Sequence, residues 1–169
     1  YIVKLYGSYY EMGINYGKCM KHIIQKDITI WLKFIKDNEQ YYLNKIPKNL
    51  NINNNIFDSI LNLYNINLSN FNKDILEFMK GISLSTKIEY NKLIIINLLT
   101  DIMDNHCILL SKRINNKILN LRTFDYCGPN MYHSLIIFNP INKTPYCSLN
   151  ISWATGLVTG ISKGNIFFG

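Results

Sequence analysis

The segment DNHCILLSKRINNKILNLRTFDY, residues 104–126, contains three side chains that together could carry out acyl-transfer chemistry. Cys107 stands 15 residues before Arg122, and Asp125 follows three residues further on. A cysteine thiolate attacks acyl carbonyls, and a guanidinium close to the sulfur favours that thiolate. Taken singly, a cysteine in an apolar strand is most often a core residue, and an arginine near an aspartate usually forms a surface ion pair. The segment alone leaves both alternatives open, a cysteine enzyme and an ordinary hairpin.

A hairpin would have to position these residues. The sequences CILLSK and KILNLR predict two strands, and Asn115 and Asn116 between them favour a turn. Positions three apart in a regular strand point to opposite faces. Arg122 and Asp125 can therefore serve one site only if the chain bends near Phe124, and the CGPN sequence that follows favours a bend.

The rest of the sequence predicts a helical first half and a β-meander in the second half. YIVKLY at the start has strand propensity, and Ser8 and Glu11 have the spacing of a capping box that starts a long amphipathic helix. Gly13 and Gly17 share one face of that helix, which favours close packing against another helix over phosphate binding. Further helices are expected at about 56–63, 71–83 and 89–103, and two further hairpins at 133–152 and 156–169.

Composition narrows the class of protein. The 169 residues are 48% hydrophobic and 17% charged, which is enough for one globular domain with a core. The net charge of +7 is scattered, without the basic stripe and interleaved aromatics that nucleic-acid binding requires, so a nucleic-acid partner is not expected. The four cysteines and three histidines lack zinc-site spacing, and the apolar run at 93–103 is too short to span a bilayer. We expect no metal, no cofactor and no transmembrane segment.

Three motifs in order carry a family resemblance. GSYYEMGINYGK near the start, a helical region of about 100 residues, Cys107 followed by RTFDY, and a W-x-x-G-x-x-x-G hairpin resemble the acyl-coenzyme A:6-aminopenicillanate acyltransferase family. More widely, the chain resembles the cysteine N-terminal-nucleophile hydrolases, which include acid ceramidase, N-acylethanolamine amidase and choloylglycine hydrolase. The resemblance implies an α+β fold, the N-terminal part of a four-layer αββα sandwich truncated after Gly169.

The resemblance also implies roles for individual residues. Self-cleavage would fall between His106 and Cys107, so that residues 1–106 form a helical propeptide or α-chain region and residues 107–169 begin an incomplete catalytic β-chain. Cys107 would be the nucleophile and, through its new α-amine, the base, while Arg122 and Asp125 organise it. The cleaved chains would stay associated as a heterodimer.

Other positions are candidates for substrate binding, and some depart from the family pattern. Trp153 and Ser162 lie in the last hairpins and are candidate substrate contacts, although the family commonly has Asn where this chain has Ser162. His106 replaces a common Gly, and Ile108 replaces a common Thr or Ser. A linear amide or acyl thioester is the expected small-molecule substrate, and the choice between hydrolase and acyltransferase stays open. The alternative is a non-catalytic relative that keeps the fold as a binding or structural module.

The compartment is also left open. Asn67, Asn142 and Asn150 each begin an N-glycosylation sequence pattern, but such patterns arise easily in an asparagine-rich chain. The resemblance favours a lysosome-like or secreted location.

Overall fold

The fold is of the α+β class, as the sequence predicts. The computed structural model describes residues 1–46, 55–102, 109–115, 117–122, 128–155, 159–164 and 166–168. The helices are α1 (Tyr9–Asp37), α2 (Glu39–Leu43), α3 (Ile56–Asn67), α4 (Lys73–Thr86) and α5 (Tyr90–Ile102), with a 3-10 turn at Leu68–Asn70. The strands are β1 (Ile2–Gly7), β2 (Leu109–Ile114), β3 (Lys117–Arg122), β4 (His133–Pro140), β5 (Tyr146–Ile151), β6 (Thr159–Ser162) and β7 (Phe167–Phe168).

The strands form two sheets where the sequence predicts one meander. Strands β4 to β7 are antiparallel neighbours, as a meander requires, but β2 and β3 form a separate two-stranded sheet. β1 pairs in parallel with β4 at the edge of the five-stranded sheet, which has the order β1-β4-β5-β6-β7. A parallel pair needs a long crossover connection, and the helical region between β1 and β4 supplies it. The first half of the chain therefore contributes a strand to the main sheet.

The two faces of the five-stranded sheet have different surroundings. Along β4, alternate side chains from Ser134 to Pro140 are buried, while those between them are exposed or half-buried. The buried face packs on α1 and α4, where Phe78 meets Phe138 edge-on at 5.6 Å between ring centroids. Register places an apolar set on the opposite face, which we call the outer sheet face: Leu135, Ile137, Cys147, Leu149 and Ile161. Leu149 is 46% exposed and Ile161 is 43% exposed, so none of the described helices covers this face there.

Helix α1 begins at the predicted capping box. The Ser8 hydroxyl accepts from the Glu11 backbone N–H at 3.3 Å, and the Ser8 backbone N–H donates to the Glu11 carboxylate at 2.8 Å. The Ser8 hydroxyl also donates to the Glu11 carboxylate at 2.8 Å. The two bonds that the carboxylate accepts, the one from the backbone N–H above all, lower the pKa of the Glu11 carboxyl below its usual value. The cap satisfies amide groups that the first turn would otherwise leave without partners.

Helices α1 and α4 cross at glycines, which confirms the packing role expected for Gly13 and Gly17. A Cβ on Gly13 would lie 2.1 Å from the backbone oxygen of Phe78. A Cβ on Gly17 would lie 2.0 Å from Ser85 Oγ, and a Cβ on Gly81 would lie 2.2 Å from the Tyr10 oxygen. The two backbones can approach this closely only because both helices present hydrogen atoms at the crossing.

Candidate functional site

The β2–β3 hairpin has a register that bears directly on the predicted site. Arg122 is the last residue of β3 and is the cross-strand partner of Leu109, the first residue of β2. Cys107 precedes Leu109 by two residues in the sequence. Cys107, His106 and Asp125 themselves lie outside the described residues, so the structure locates only the arginine of the predicted set.

The Arg122 side chain connects the hairpin to the main sheet. Its Nη1 atom donates to Thr159 Oγ1 at 2.7 Å, in a half-buried position. Thr159 is the first residue of β6 and pairs with Leu149 of β5. This hydrogen bond joins the end of the hairpin to the first residue of β6.

An apolar groove separates the hairpin from the outer sheet face. Its volume is about 410 Å³ and it opens widely to solvent. Ile118 and Leu119 of β3 form one side, and the outer sheet face with Thr159 and Phe167 forms the other. The contact between Arg122 and Thr159 therefore lies at an edge of this open groove.

Trp153, one of the candidate substrate contacts, lies in the core. Its side chain is 0% exposed and meets Trp31 of α1 edge-on, with 5.8 Å between ring centroids. Asn97 of α5 holds the backbone here, donating from Nδ2 to the Trp153 oxygen at 3.3 Å and accepting the Thr155 N–H at 2.9 Å. The described residues around the Trp153 side chain are closely packed, and this segment contacts both α1 and α5.

Ser162, the other candidate substrate contact, closes the turn between β6 and β7. Its backbone N–H donates to the Ile166 oxygen at 3.0 Å, and its hydroxyl accepts the Ile166 N–H at 3.3 Å. The hydroxyl group thus takes part in the turn.

A buried polar network beneath the Trp153 segment was not predicted from the sequence. Asp27 of α1 is 1% exposed and accepts a hydrogen bond from the Ser152 hydroxyl. The Tyr16 hydroxyl, also on α1, donates a hydrogen bond to the Ser152 backbone oxygen at 2.9 Å, and its oxygen lies 2.9 Å from Ser134 Oγ. Burial raises the pKa of Tyr16 to about 12, and the negative charge of Asp27 acts in the same direction while Ser134 opposes it. The network ties α1 to β4 and to the end of β5.

The sequence contains a signal for Asp27 that was overlooked. The aspartate lies three residues after Ile24 and four before Trp31, both of which are buried. That spacing puts a carboxylate on the apolar face of the helix, where it requires a partner. One of its oxygens, Oδ1, is buried without a hydrogen-bond partner within the described part of the chain.

The other ionisable groups of the described residues add no second site of this kind. Cys19 and Cys147 are free thiols, and burial raises the pKa of the Cys147 thiol above its usual value. Within the same residues no three His, Cys, Asp or Glu side chains come together as metal ligands would. None of the helices described is both long enough and apolar enough to cross a membrane.

Comparison with known proteins gives no family assignment. No protein-family model matches the chain, and no curated protein is significantly similar to it in sequence.

Proposed function

We propose that this chain belongs to an autoprocessed cysteine N-terminal-nucleophile amidohydrolase or acyltransferase that acts on linear amides or acyl thioesters. The observation that carries the proposal is the register of the β2–β3 hairpin. It pairs Arg122 with Leu109, the first residue of β2, and Cys107 precedes Leu109 by two residues in the sequence. The arginine therefore lies at the end of the two-stranded sheet where β2 begins. The order of the GSYYEMG, Cys107–RTFDY and W-x-x-G-x-x-x-G motifs along the chain also supports the proposal.

The proposed chemistry begins with self-cleavage. Scission of the peptide bond between His106 and Cys107 frees an α-amine whose ordinary pKa, near 7.7 to 8.0, suits it to accept the thiol proton at neutral pH. The Cys107 sulfur then attacks the substrate carbonyl, and the proton passes to the leaving amine or thiol as a thioester forms. Water or an amine acceptor breaks the thioester and regenerates the thiol. Arg122 favours the thiolate by its charge, and Asp125 orients the α-amine of Cys107.

The sheet topology supports the proposal that the two cleaved chains remain together. β1 belongs to the segment before the cut and β4 to the segment after it, and they pair over six residues from Ile2 to Gly7. The buried network between α1 and the end of β5 adds side-chain hydrogen bonds across the same division. A cut before Cys107 would therefore leave a heterodimer that shares one sheet and one core.

The finer fold proposal is the αββα sandwich. One layer of helices covers the inner face of the five-stranded sheet, while the outer sheet face keeps large apolar side chains partly exposed. The hairpin stands against this face and itself exposes apolar residues, with Leu110 57% exposed and Leu121 56% exposed. Apolar surface of this extent favours coverage by another layer. In the proposed sandwich, a second sheet that includes the hairpin packs on the outer sheet face.

The test is the state of the full-length protein. We expect two chains on denaturing gels, with Cys107 as the first residue of the second chain, and we expect Cys107→Ala to remain a single chain. Cys147→Ala is the matched control and should be cut normally. A single intact chain that turns over its substrate with Cys107 unmodified would refute the proposal.

A non-catalytic module is the second candidate, and one observation favours it. Trp153 is packed in the core and the Ser162 hydroxyl is engaged in a turn, so the two candidate substrate contacts both have structural roles. An acylating probe directed at thiols separates the candidates. Stoichiometric labelling that disappears in Cys107→Ala supports the enzyme, and absence of labelling in folded, processed protein supports the module.

A further inference from the structure

We propose that a small cavity between the start of α1, the start of α4 and the β4–β5 hairpin binds a trimethylammonium group. The cavity lies on the helix-covered face of the five-stranded sheet, so this inference does not depend on the proposed function. Its volume is about 130 Å³. Since an apolar cavity of about 150 Å³ can hold benzene, a trimethylammonium group is of suitable size.

Four aromatic rings line this cavity. They belong to Tyr9 of α1, Phe78 of α4, Phe138 of β4 and Tyr146 of β5. Phe138 stacks on Tyr146 with 4.6 Å between ring centroids and meets Phe78 edge-on at 5.6 Å. A side-chain hydrogen bond joins Tyr9 to Tyr146. Because these contacts fix the rings in the free protein, little side-chain freedom is lost when a ligand binds.

A carboxylate lines the same cavity. Asp74 lies in the first turn of α4, and its side chain is 34% exposed. Aromatic rings attract cations through the negative faces of their π systems, and a carboxylate adds a full negative charge. Among the described residues that line the cavity, none is Lys, Arg or His. The combination of rings and one carboxylate selects a cation.

An ammonium group of the chain itself is bound at the entrance to the cavity. Lys143, in the turn between β4 and β5, pairs with the Asp74 carboxylate, and its Nζ atom lies 5.2 Å from the centroid of the Tyr9 ring. It therefore makes both kinds of interaction that a bound cation would make. The hydrogen bond with Asp74 raises the pKa of the Lys143 amino group above its usual value, so the group is charged at neutral pH.

Lys143 can be displaced at low cost. Its side chain is 51% exposed, and an ion pair with this much contact with solvent contributes little to stability. A ligand that interacts with Asp74 and also fills the cavity gains contacts with the inner rings. The lysine is therefore expected to act as an intramolecular competitor of the ligand.

The walls of the cavity favour a quaternary ammonium over a primary one. A primary ammonium has three N–H donors, and each requires an acceptor when it leaves water. The side chains of Phe78 and Phe138 offer none, and Asn72 Oδ1 already accepts the Asp74 backbone N–H at 2.9 Å. A trimethylammonium group has no N–H donor, and its methyl groups can contact the rings directly.

The experiment is a calorimetric titration of the full-length protein with choline. For so small a ligand we expect a dissociation constant on the order of 1 mM. The matched control is 3,3-dimethyl-1-butanol, which has the shape of choline without its charge, and ethanolamine supplies the primary ammonium. Both should bind at least about tenfold more weakly than choline, because the first lacks the charge and the second needs hydrogen-bond acceptors.

Four variants locate the binding site. Asp74→Asn should weaken choline binding about tenfold, and Tyr9→Leu about fivefold, whereas Tyr9→Phe keeps the ring and should stay within about twofold of wild type. Lys143→Gln should tighten binding about threefold or more, because the competing ammonium is removed.

Lys33→Gln is the control for net charge. Lys33 is exposed on α1 and lies about 36 Å along the helix from Tyr9 at the rise of an α-helix. The same loss of one positive charge at this distance should leave the dissociation constant for choline unchanged.

The source of the trimethylammonium group is tested with a trimethyllysine in which both backbone ends are blocked as amides. Binding at least about tenfold tighter than that of choline would assign the group to a modified lysine side chain. Binding equal to or weaker than that of choline would assign it to a small molecule. Either result supports a trimethylammonium site.

The remaining outcomes would overturn the inference. Equal binding of choline and its neutral analogue would show that the cavity does not select a cation, and tighter binding of ethanolamine would exclude the preference for a quaternary group. Absence of binding in both wild type and Lys143→Gln would refute the site altogether. If Tyr9→Leu does not fold, Asp74→Asn and Lys143→Gln decide the question, because both change partly exposed side chains.

Discussion

The crossing of α1 and α4 leads to a prediction that can be worked out quantitatively, because the two glycines of α1 meet different kinds of atom. At Gly17, the atom nearest to an added Cβ is Ser85 Oγ at 2.0 Å, and the next two, from Ile82, are at 3.2 and 3.3 Å. At Gly13, the three nearest atoms all belong to the backbone of Phe78, at 2.1 to 3.1 Å. A side-chain hydroxyl can be removed by mutation, and a backbone oxygen cannot.

The expected free energies follow from two opposing effects. Alanine in place of glycine stabilises a helix interior by about 1 kcal/mol, while forcing an extra methyl group into a packed contact costs about 1–3 kcal/mol and occasionally more. We expect Gly17→Ala to lower the free energy of unfolding by roughly 1–2 kcal/mol and Gly13→Ala by roughly 2–4 kcal/mol. In a Ser85→Ala background, Gly17→Ala should be close to neutral, because only contacts beyond 3 Å remain.

The assay is urea unfolding of the full-length protein, with free energies from linear extrapolation. Ser85→Ala alone is the necessary control. It should cost little because, among the residues that the structure describes, the Ser85 hydroxyl bonds to carbonyl oxygens of its own helix, Gly81 at 2.9 Å and Ile82 at 3.2 Å. The decisive quantity is the coupling energy between the Gly17 and Ser85 substitutions, which we expect to be about 1–2 kcal/mol. A Gly17→Ala variant at least as stable as wild type, or a destabilisation that Ser85→Ala leaves unchanged, would show that the crossing is not as close as described.

Three further predictions concern the network, the Trp153 segment and surface modification. Burial raises the pKa of Tyr16 to about 12 in the folded protein, so as pH rises past 10 the phenol ionises first in the unfolded chain and stability falls. Between pH 9 and 11, the free energy of unfolding measured in urea should therefore fall by about 1.4 kcal/mol less in Tyr16→Phe than in wild type. Equal losses in the two proteins would contradict this. Asn97→Ala removes the acceptor for the Thr155 N–H and the amide donor to the Leu93 and Trp153 oxygens, so it should lower the free energy of unfolding by roughly 1–3 kcal/mol in the same assay, and unchanged stability would argue against these hydrogen bonds. If the protein is secreted from a eukaryotic host, enzymatic deglycosylation should release a glycan from exposed Asn142 in the folded product but none from Asn150, which is 1% exposed.

Helices that are distant in sequence fix the backbone around Ser152 and Trp153 by hydrogen bonds. Asp27 and Tyr16 of α1 hold Ser152, and Asn97 of α5 holds the residues that follow it. Such a network costs stability if it is only partly satisfied, and when satisfied it specifies one arrangement of the backbone. The strand that carries Thr159 begins shortly after this anchored segment.

Local patterns were sufficient for most of the elements. The capping box at Ser8 was predicted because its two partners are three residues apart, and the turn of the β2–β3 hairpin was predicted because Asn tolerates the left-handed backbone, which Asn115 adopts with φ of 48°. The close packing of Gly13 and Gly17 was also predictable, since their spacing of four places them on one helix face. These features depend on residues close together in the chain.

Features that depend on distant residues were missed. The sequence did not indicate that Trp153 lies between α1 and α5, or that the Ser162 hydroxyl takes part in a turn. Asp27 was overlooked because nothing near it in the sequence indicates the hydroxyl of Ser152, 125 residues later, as its partner. The division of the strands into two sheets was likewise unpredicted. The pairing of β1 with β4 was unpredicted as well, because it requires the whole helical region to act as the crossover.

The sequence by itself determined the helices, the hairpins, the α+β class and the order of chemically capable residues, because hydrophobic period, capping and turn chemistry act over a few residues. Only the tertiary structure decided that Arg122 donates a hydrogen bond to Thr159, that Asp27 lies buried beside Ser152, and that β1 pairs with β4. Those relations are set by packing between elements, where the burial of apolar surface selects which faces meet. A hydrogen bond between residues 37 apart, such as the one between Arg122 and Thr159, has no signature in either local sequence.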